Sequence, residues 1–442
     1  MSSIPPTSNA YSGSVPEKLV PGLLKISLED AIQRGLRTNL GLLLAGQNRR
    51  IARGQRWQQL SRLLPNVNAS TYIDDSKVDL AEFGFTGFPG IPPVVGPFAY
   101  FDSRAYLTQS VFDWQALSNE RAASENAKQA QYTYQDARDL VVLAVGSAYV
   151  QAVADKALVS ATQAQVNTAQ ALYQQASDQV NAGTAPSIDA LRAKVELQTQ
   201  QQQLIQAHND LAIQKLTLAR TIGLAPGQQF ELADNTPYQP LTGLTVDEAL
   251  NQAYAHRSDY QAALAGLRAA EDSKRAAEAG YWPSLSFSAD YGLAGTYPNV
   301  ATHGIFDVRG TLTVPIFQGG RVHGDLMQAN AQLQQSRDQL DNLRADIDSQ
   351  VRTALLNLQS AEQRVTVAQS NVGLANETLS QSRDRFAAGV TNTVEVVQAQ
   401  EQVASANQQY ISSLYLDNYA KISLARALGL AESGVKQFFE EK

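Results

Sequence analysis

Leu218-Ala219-Arg220-Thr221-Ile222-Gly223-Leu224 returns as Leu424-Ala425-Arg426-Ala427-Leu428-Gly429-Leu430, 206 positions further on. The match runs back without a gap to residue 171 and its counterpart 377, laying Ala182-Gly183 on Ala388-Gly389. A second anchor lies upstream. Ile26-Ser27-Leu28-Glu29-Asp30-Ala31 answers Leu244-Thr245-Val246-Asp247-Glu248-Ala249, and Pro65 answers Pro283. A duplicated chain has internal pseudo-symmetry, so each copy is read as a structural unit before any residue is read as a site.

The chain divides into an extended Pro/Ser-rich strap at 1–25, repeat 1 at 26–224, a connector at 225–243, repeat 2 at 244–430 and a tail at 431–442. Connector and tail are expected to belt the middle of a helical body. Net charge is −7, which gives no basic footprint for nucleic acid. Charged residues are only 17%, and Gln, Ala, Ser and Asn stand where Lys and Glu are usual. Cysteine is absent, excluding disulfides, thiolate metal sites and cysteine nucleophiles. No run approaches the ~18 uninterrupted apolar residues of a membrane-spanning helix. The richest, Leu140 to Val145, is soon broken by Ser147, Gln151 and Asp155. A membrane β-barrel stays open. The start, Met1-Ser2-Ser3-Ile4-Pro5-Pro6, has neither the basic beginning nor the apolar core of a signal peptide.

Each copy reads as helix, strand, loop, strand, very long helix, sharp turn, helix. The hairpins span about 66–112 and 283–317. Ser284, Ser286, Ser288 and Asp290 alternate with Leu285, Phe287, Ala289 and Tyr291, and Asn66, Asn68 and Ser70 with Val67, Ala69, Thr71 and Ile73. That is the period of a strand with one apolar face. The return strands are expected near 104–112 and 308–317, long enough to cross a bilayer tilted. Tyr106, Phe112, Tyr281, Trp282 and Phe317 are expected as an interfacial girdle. Pro65 to Pro283 is a displacement of 218 but Phe112 to Phe317 only 205, so repeat 1 carries about 13 extra residues around Phe83 to Pro97. Variable length is a property of exposed loops.

Long helices are expected over about 113–181 and 320–387, each reaching about 100 Å at 1.5 Å per residue. Val145, Ala152, Val159, Val166, Tyr173 and Val180 recur every seven residues, matched by Val351, Leu358, Val365, Val372, Leu379 and Phe386. A strict heptad keeps one stripe turned toward neighbouring helices, as in a coiled coil. At the turns, Gly183 and Gly389 suit the left-handed position past a helix end, and Ser187 and Thr393 suit the N-caps that follow. Arg220 and Arg426 suit the last-turn dipole.

Catalytic signals are missing. His208, His256, His303 and His323 have no metal spacing, and Gly319-Gly320-Arg321-Val322-His323-Gly324 lacks the Lys-Ser/Thr of a phosphate loop. Neither an enzyme nor a cofactor is expected. Two hairpins give four strands, too few to close a barrel, and an open edge in lipid leaves backbone groups unpaired. If these strands are in a membrane, several chains share one barrel, and three would supply twelve strands. The rival readings are a soluble coiled-coil scaffold, which accounts for the heptads equally well, and a surface β/α structural protein. The coiled coil does not account for a hairpin inserted at the same place in each copy.

With the duplication, Leu64-Pro65 and Trp282-Pro283, Pro315-Ile316-Phe317-Gln318-Gly319-Gly320, the two Ala-Gly tips and the Leu-Ala-Arg endings, the chain resembles the TolC-like outer-membrane efflux proteins over roughly 26–430. The resemblance implies a mainly α fold with a membrane β-barrel: a homotrimer in outer-membrane lipid, with a shared 12-stranded barrel and a long periplasmic α-barrel. It implies a periplasmic adaptor and an inner-membrane pump as partners. It places entrance acids at Asp189 and Glu395 and adaptor docking at Ala182-Gly183-Thr184 and Ala388-Gly389-Val390-Thr391. Where the best-known members have a basic partner this chain has Thr391, and a second acidic position is Gln398, which leaves Arg385 or Arg192 for the lock.

Overall fold

Both repeats begin on a capping box. Ser27 accepts from Asp30 N at 3.1 Å while Asp30 accepts from Ser27 N at 3.3 Å, and Thr245 and Glu248 do the same, starting helices α1 (Leu28–Thr38) and α5 (Val246–His256). The computed structural model describes residues 11–85, 89–90, 92–234, 238–239, 243–296, 302–432 and 434. It comprises two units: Met1–Asn48, Gln131–Gln261 and Asp341–Lys442 in unit 1, and Arg49–Ala130 and Ala262–Leu340 in unit 2.

The single helix expected ahead of each hairpin is two. One extended residue, Asn39 or Arg257, interrupts it before α2 (Leu40–Ser61) or α6 (Ser258–Glu278). Asn39 restarts its helix by accepting from Gly41 N at 3.0 Å. The two duplicated glycines serve these breaks. Gly223 (φ 69°) would drive a Cβ to within 2.6 Å of Thr38 Cβ, and Gly429 (φ 74°) to within 2.6 Å of the Arg257 nitrogen. Only glycine fits there without displacement.

In unit 1 the chain's two longest helices, α3 (Trp114–Asn181) and α7 (Arg321–Ala387), meet the return helices α4 (Ser187–Thr221) and α8 (Thr393–Ala427). One core gathers Val141, Val142, Val145 and Tyr149 of α3 with Leu218 and Ile422; another gathers Ile347, Val351 and Leu358 of α7 with Leu424 and Ala253. A third, near the tips, joins Leu172, Ala193, Leu379, Phe386 and Val396. The expected seven-residue row on α7 is buried at Val351, Leu358, Val365, Leu379 and Phe386, whereas the row on α3 is buried at Val145 and Ala152 and only half-buried from Val159 to Val180. One window of α3 is apolar enough to cross a membrane, but half of it is buried in the unit.

The strap and connector meet in a two-stranded parallel sheet, β1 (Leu24–Ile26) on β4 (Phe230–Leu232), which periodicity over three residues could not announce. Tyr149 donates to Ile26 O at 3.0 Å, and Asp234 accepts from Leu28 N at 2.7 Å. Glu432 binds Arg138 through two hydrogen bonds. The belt expected of connector and tail falls partly outside the described residues, at 235–237, 240–242, 433 and 435–442; so does the strap at 1–10.

Arg426 stands in the last turn of α8, as expected of a residue serving the helix dipole, and also pairs with Asp136 of α3 at 2.5 Å. Lys421 and Asp417 form a buried pair at 2.7 Å, and Lys421 also donates to Gln239 O.

Unit 2 holds an antiparallel sheet in the order β2-β3-β5-β6, with β2 Asn66–Asp79, β3 Val94–Phe112, β5 Ser284–Gly295 and β6 Thr302–Thr313. The strands are longer than expected and the return strands are displaced. β3 reaches back to Val94, pairing with β2 past a bulge at Ser76/Val78, and β6 ends before Pro315, which has no N–H for the ladder. Tyr106 is not at a strand end: it pairs with Asn68 and Asp290 in mid-sheet. Phe317 lies beyond the last strand, exposed beside Ile316. Tyr281 and Trp282 do precede β5, and Trp282 stacks on Trp114 at 6.4 Å.

Register sorts the sheet into two faces. On one lie Val67, Ile73, Leu107, Phe287, Tyr291, Leu293, Phe306 and Val308; on the other Asn68, Ser70, Arg104, Asp102, Ser288, Asp290 and Arg309. Arg104 holds Asp102 at 2.5 Å and Asp290 across the strands at 3.1 Å. The apolar face is uncovered, with Tyr291 69% and Phe306 74% exposed.

Candidate functional site

The two hairpin tips in unit 1 have one backbone and two chemistries. At each, the glycine lies at φ 70° and closes the helix with a short bond, Gly183 N to Val180 O and Gly389 N to Phe386 O, both 3.0 Å. The next residue reaches back five: Thr184 N to Gln179 O at 2.9 Å and Val390 N to Arg385 O at 3.0 Å. This paired closure satisfies the orphan carbonyls at the helix end. Ala182, Gly183, Thr184, Ala388, Gly389 and Val390 are exposed, presenting small and apolar groups to solvent.

The N-caps stand one residue earlier than expected. Pro186 precedes α4 and makes no side-chain cap, while Asn392 caps α8 by accepting from Val394 N at 3.1 Å. Thr393 is instead the first helical residue, buried, with no hydrogen-bond partner for its hydroxyl.

The acids differ in setting. Glu395 is tied across the turn, accepting from Thr391 Oγ1 at 2.5 Å and pairing with Arg385 at 3.2 Å. Ser382 adds a long contact at 3.5 Å. Asp189 is buried and, among the described residues, pairs with Arg192 on its own helix at 3.7 Å. The structure thus brings Thr391, Arg385 and Glu395 together and keeps Asp189 with Arg192. Ser382 escaped the sequence reading. Its signal was there: it ends the seven-residue row Leu333, Leu340, Ile347, Ala354, Ala361, Ala368, Ala375 as the one hydroxyl in an apolar series. Gln200 and Gln400, buried with unpartnered carboxamide oxygens on the two return helices, also went unread.

Among the described residues no group of acids and histidines is arranged to hold a metal ion. The polar work of these tips is done by ion pairs and hydroxyls.

Residues 31–224 and 249–430 match the family described as "Outer membrane efflux protein", once for each repeat. Outer membrane protein TolC of Escherichia coli is 24% identical over 345 residues, covering 73% of this chain and 68% of that protein. The toluene efflux pump outer membrane protein TtgF of Pseudomonas putida is 24% identical over 426 residues, covering 91% and 83%. Among solved structures, the outer membrane protein VceC of Vibrio cholerae superposes with a TM-score of 0.78 at 19% identity, covering 91% of this chain and 96% of that one. CusC superposes with a TM-score of 0.77 over 94% of this chain and 96% of that one. At such identities the superpositions speak for the fold, which is the TolC-like one. The family match speaks for more: this chain belongs to the outer membrane efflux proteins, and its place is the outer membrane.

Proposed function

We propose that three copies of this chain form a passive exit duct, each giving four strands to a twelve-stranded barrel and its long helices to a periplasmic tube. One observation carries the reading: the sheet β2-β3-β5-β6 leaves β2 and β6 as open edges and one face apolar and uncovered. In water such a sheet is an aggregation site. In lipid its apolar face is at home, but its edges are intolerable until paired. Copies joined head to tail, β6 of one on β2 of the next, satisfy every edge with a single kind of contact. Twelve strands leave an interior wide enough for a channel, and the face bearing Arg104, Asp102 and Asp290 would line it. A soluble scaffold has no use for this sheet.

The tips would meet a periplasmic adaptor through Ala182-Gly183-Thr184 and Ala388-Gly389-Val390-Thr391, coupling the duct to an inner-membrane pump. Threefold repetition turns Asp189 and Glu395 into rings of carboxylates at the entrance, with Arg385, Thr391 and Arg192 as the local restraints on them. Such rings favour cations. No covalent chemistry is assigned. The names of relatives speak of toluene, cations and pyoverdine, a spread from which no single cargo is carried over.

In mild detergent the protein should have the mass of three chains and should conduct ions in a planar bilayer. A monomer soluble without detergent would end the reading. Glu395→Lys should lower the potassium-over-chloride permeability ratio at least about threefold. Unchanged reversal potentials would remove the ring while leaving the duct.

A further inference from the structure

In unit 2 the polar face of the sheet departs from its own duplicate. With Pro65 laid on Pro283, β2 falls on β5 at a displacement of 218, and the pairing registers then lay β3 on β6 at 205. The ion pair recurs: Asp102 with Arg104 answers Asp307 with Arg309, the latter pair at 3.2 Å. The tyrosines do not recur. Tyr72, Tyr100 and Tyr106, all on the face of Arg104, answer Asp290, Ile305 and Thr311. A wall that only holds water needs serine, threonine, asparagine and charge. Packing does not ask for the rings either, since Tyr72 is 48% exposed.

Two of these rings are held in place. Tyr100 donates its hydroxyl to Asp102 at 3.2 Å, Asp102 is clamped by Arg104, and the Tyr72 and Tyr100 ring centroids lie 6.2 Å apart. Asp74 pairs in register with Tyr100, is exposed, and makes no ion pair among the described residues. Up to Ser76 on β2, this face carries Asp74, Asp102, Asp290 and Asp307 against Arg104 and Arg309, so carboxylate is in excess. The rings stand where β5 stops. Phe101 pairs with Gly295, the last residue of β5, while β2 and β3 run on together to Asp79 and Val94. Tyr100 therefore lies just past that strand's end, away from the helices.

We propose that Tyr72, Tyr100 and Asp74 form a binding site for planar aromatic cations leaving through the tube. The inference rests on the duct proposed above and names a class of cargo and the place where it pauses. A flat cation stacks on the tyrosine faces, whose π-clouds attract positive charge, and Asp74 supplies the counter-charge. The excess of carboxylate on the same face disfavours aromatic anions. Rings already fixed by a hydrogen bond and by each other lose little freedom when the ligand arrives.

Ethidium, a planar aromatic cation, is the probe. Added to the full chain in detergent, its fluorescence anisotropy should rise saturably, and on channels in a planar bilayer it should cause transient blocks from the side of the hairpin loops. Tetraethylammonium, a cation without rings, and anthraquinone-2-sulfonate, a planar anion, should compete at least about tenfold more weakly. Tyr72→Ser with Tyr100→Ser should weaken ethidium about tenfold, and Tyr72→Phe, which keeps the ring, should leave it unchanged. Asp74→Asn, at an exposed position, should weaken it about threefold and decides the matter if the double variant does not assemble. Equal affinity for the three probes overturns the site. So does ethidium binding unmoved by the serine and Asp74→Asn variants while the protein keeps the mass of three chains and conducts; the duct reading then stands without it. A chain that forms no pore overturns both.

Discussion

Repeat 1 and repeat 2 share a skeleton and differ in what charges it. The capping box, the one-residue helix break, the glycine against that break and the tip closure recur at matching places. The ionic groups do not. The first break is Asn39, an uncharged cap; the second is Arg257, buried and bound to Asp259 at 2.6 Å and Gln350 at 2.9 Å. Helix α2 carries Arg49, Arg50, Arg53 and Arg56 without an acid, whereas α6 mixes both signs. Glu395 is fastened across its turn and Asp189 is not. Backbone geometry left little freedom after duplication, because each turn has few solutions. Side-chain chemistry was free to diverge.

The largest expected effect lies at the breaks. Arg257→Ala removes a buried guanidinium and leaves Asp259 to the more distant Arg426, at 4.0 Å, and should cost about 3 kcal/mol of stability. Asn39→Ala loses a cap and a bond to Tyr11 O and should cost about 1–2 kcal/mol. Thermal unfolding in detergent gives both, and equal losses would mean that the charge at the second break adds nothing.

Next comes Asp139 of α3, whose place 206 positions on is taken by Ala345. Burial is the main cause that pushes its carboxyl up to about 6, against the lowering pull of Arg426. The folded chain therefore favours the protonated acid. Its contribution is full below the ordinary carboxyl pKa near 4 and is lost as pH rises through about 6. Asp139→Asn should raise stability by about 1–3 kcal/mol at pH 7.5, with the gain shrinking through pH 6 and gone below about pH 4. A gain that ignores pH would point to packing instead of charge.

Smallest and most symmetric are Gly183→Ala and Gly389→Ala. A Cβ at either meets open space, so the cost is the left-handed backbone alone, about 1 kcal/mol each. A clear inequality in unfolding midpoints would show that the tips differ in backbone as well as in charge.

Much of this was written in the chain. Long proline-free heptads and Ala-Gly turns stated the helices and tips, and alternation from Ser284 to Tyr291 stated a strand with two faces. What escaped was short or tertiary. A break of one residue at Asn39 or Arg257 barely disturbs a helical period. Three-residue strands such as Leu24–Ile26 exist only because a partner from residue 230 onward supplies the ladder. Ser187 and Thr393 are good N-cap types, yet Asn392 took the second cap because its longer side chain reaches Val394 N and frees Thr393 for burial. The residues around Glu395 were singled out through the family resemblance, but their convergence needed the turn in three dimensions.

Strands β2 and β6 are different edges of one sheet, and this bears on heredity. If copies join as proposed, one faulty subunit spoils the joint on each side of itself. A cell making sound and defective chains in equal amounts would then retain few intact assemblies, and the damaged allele would behave as dominant.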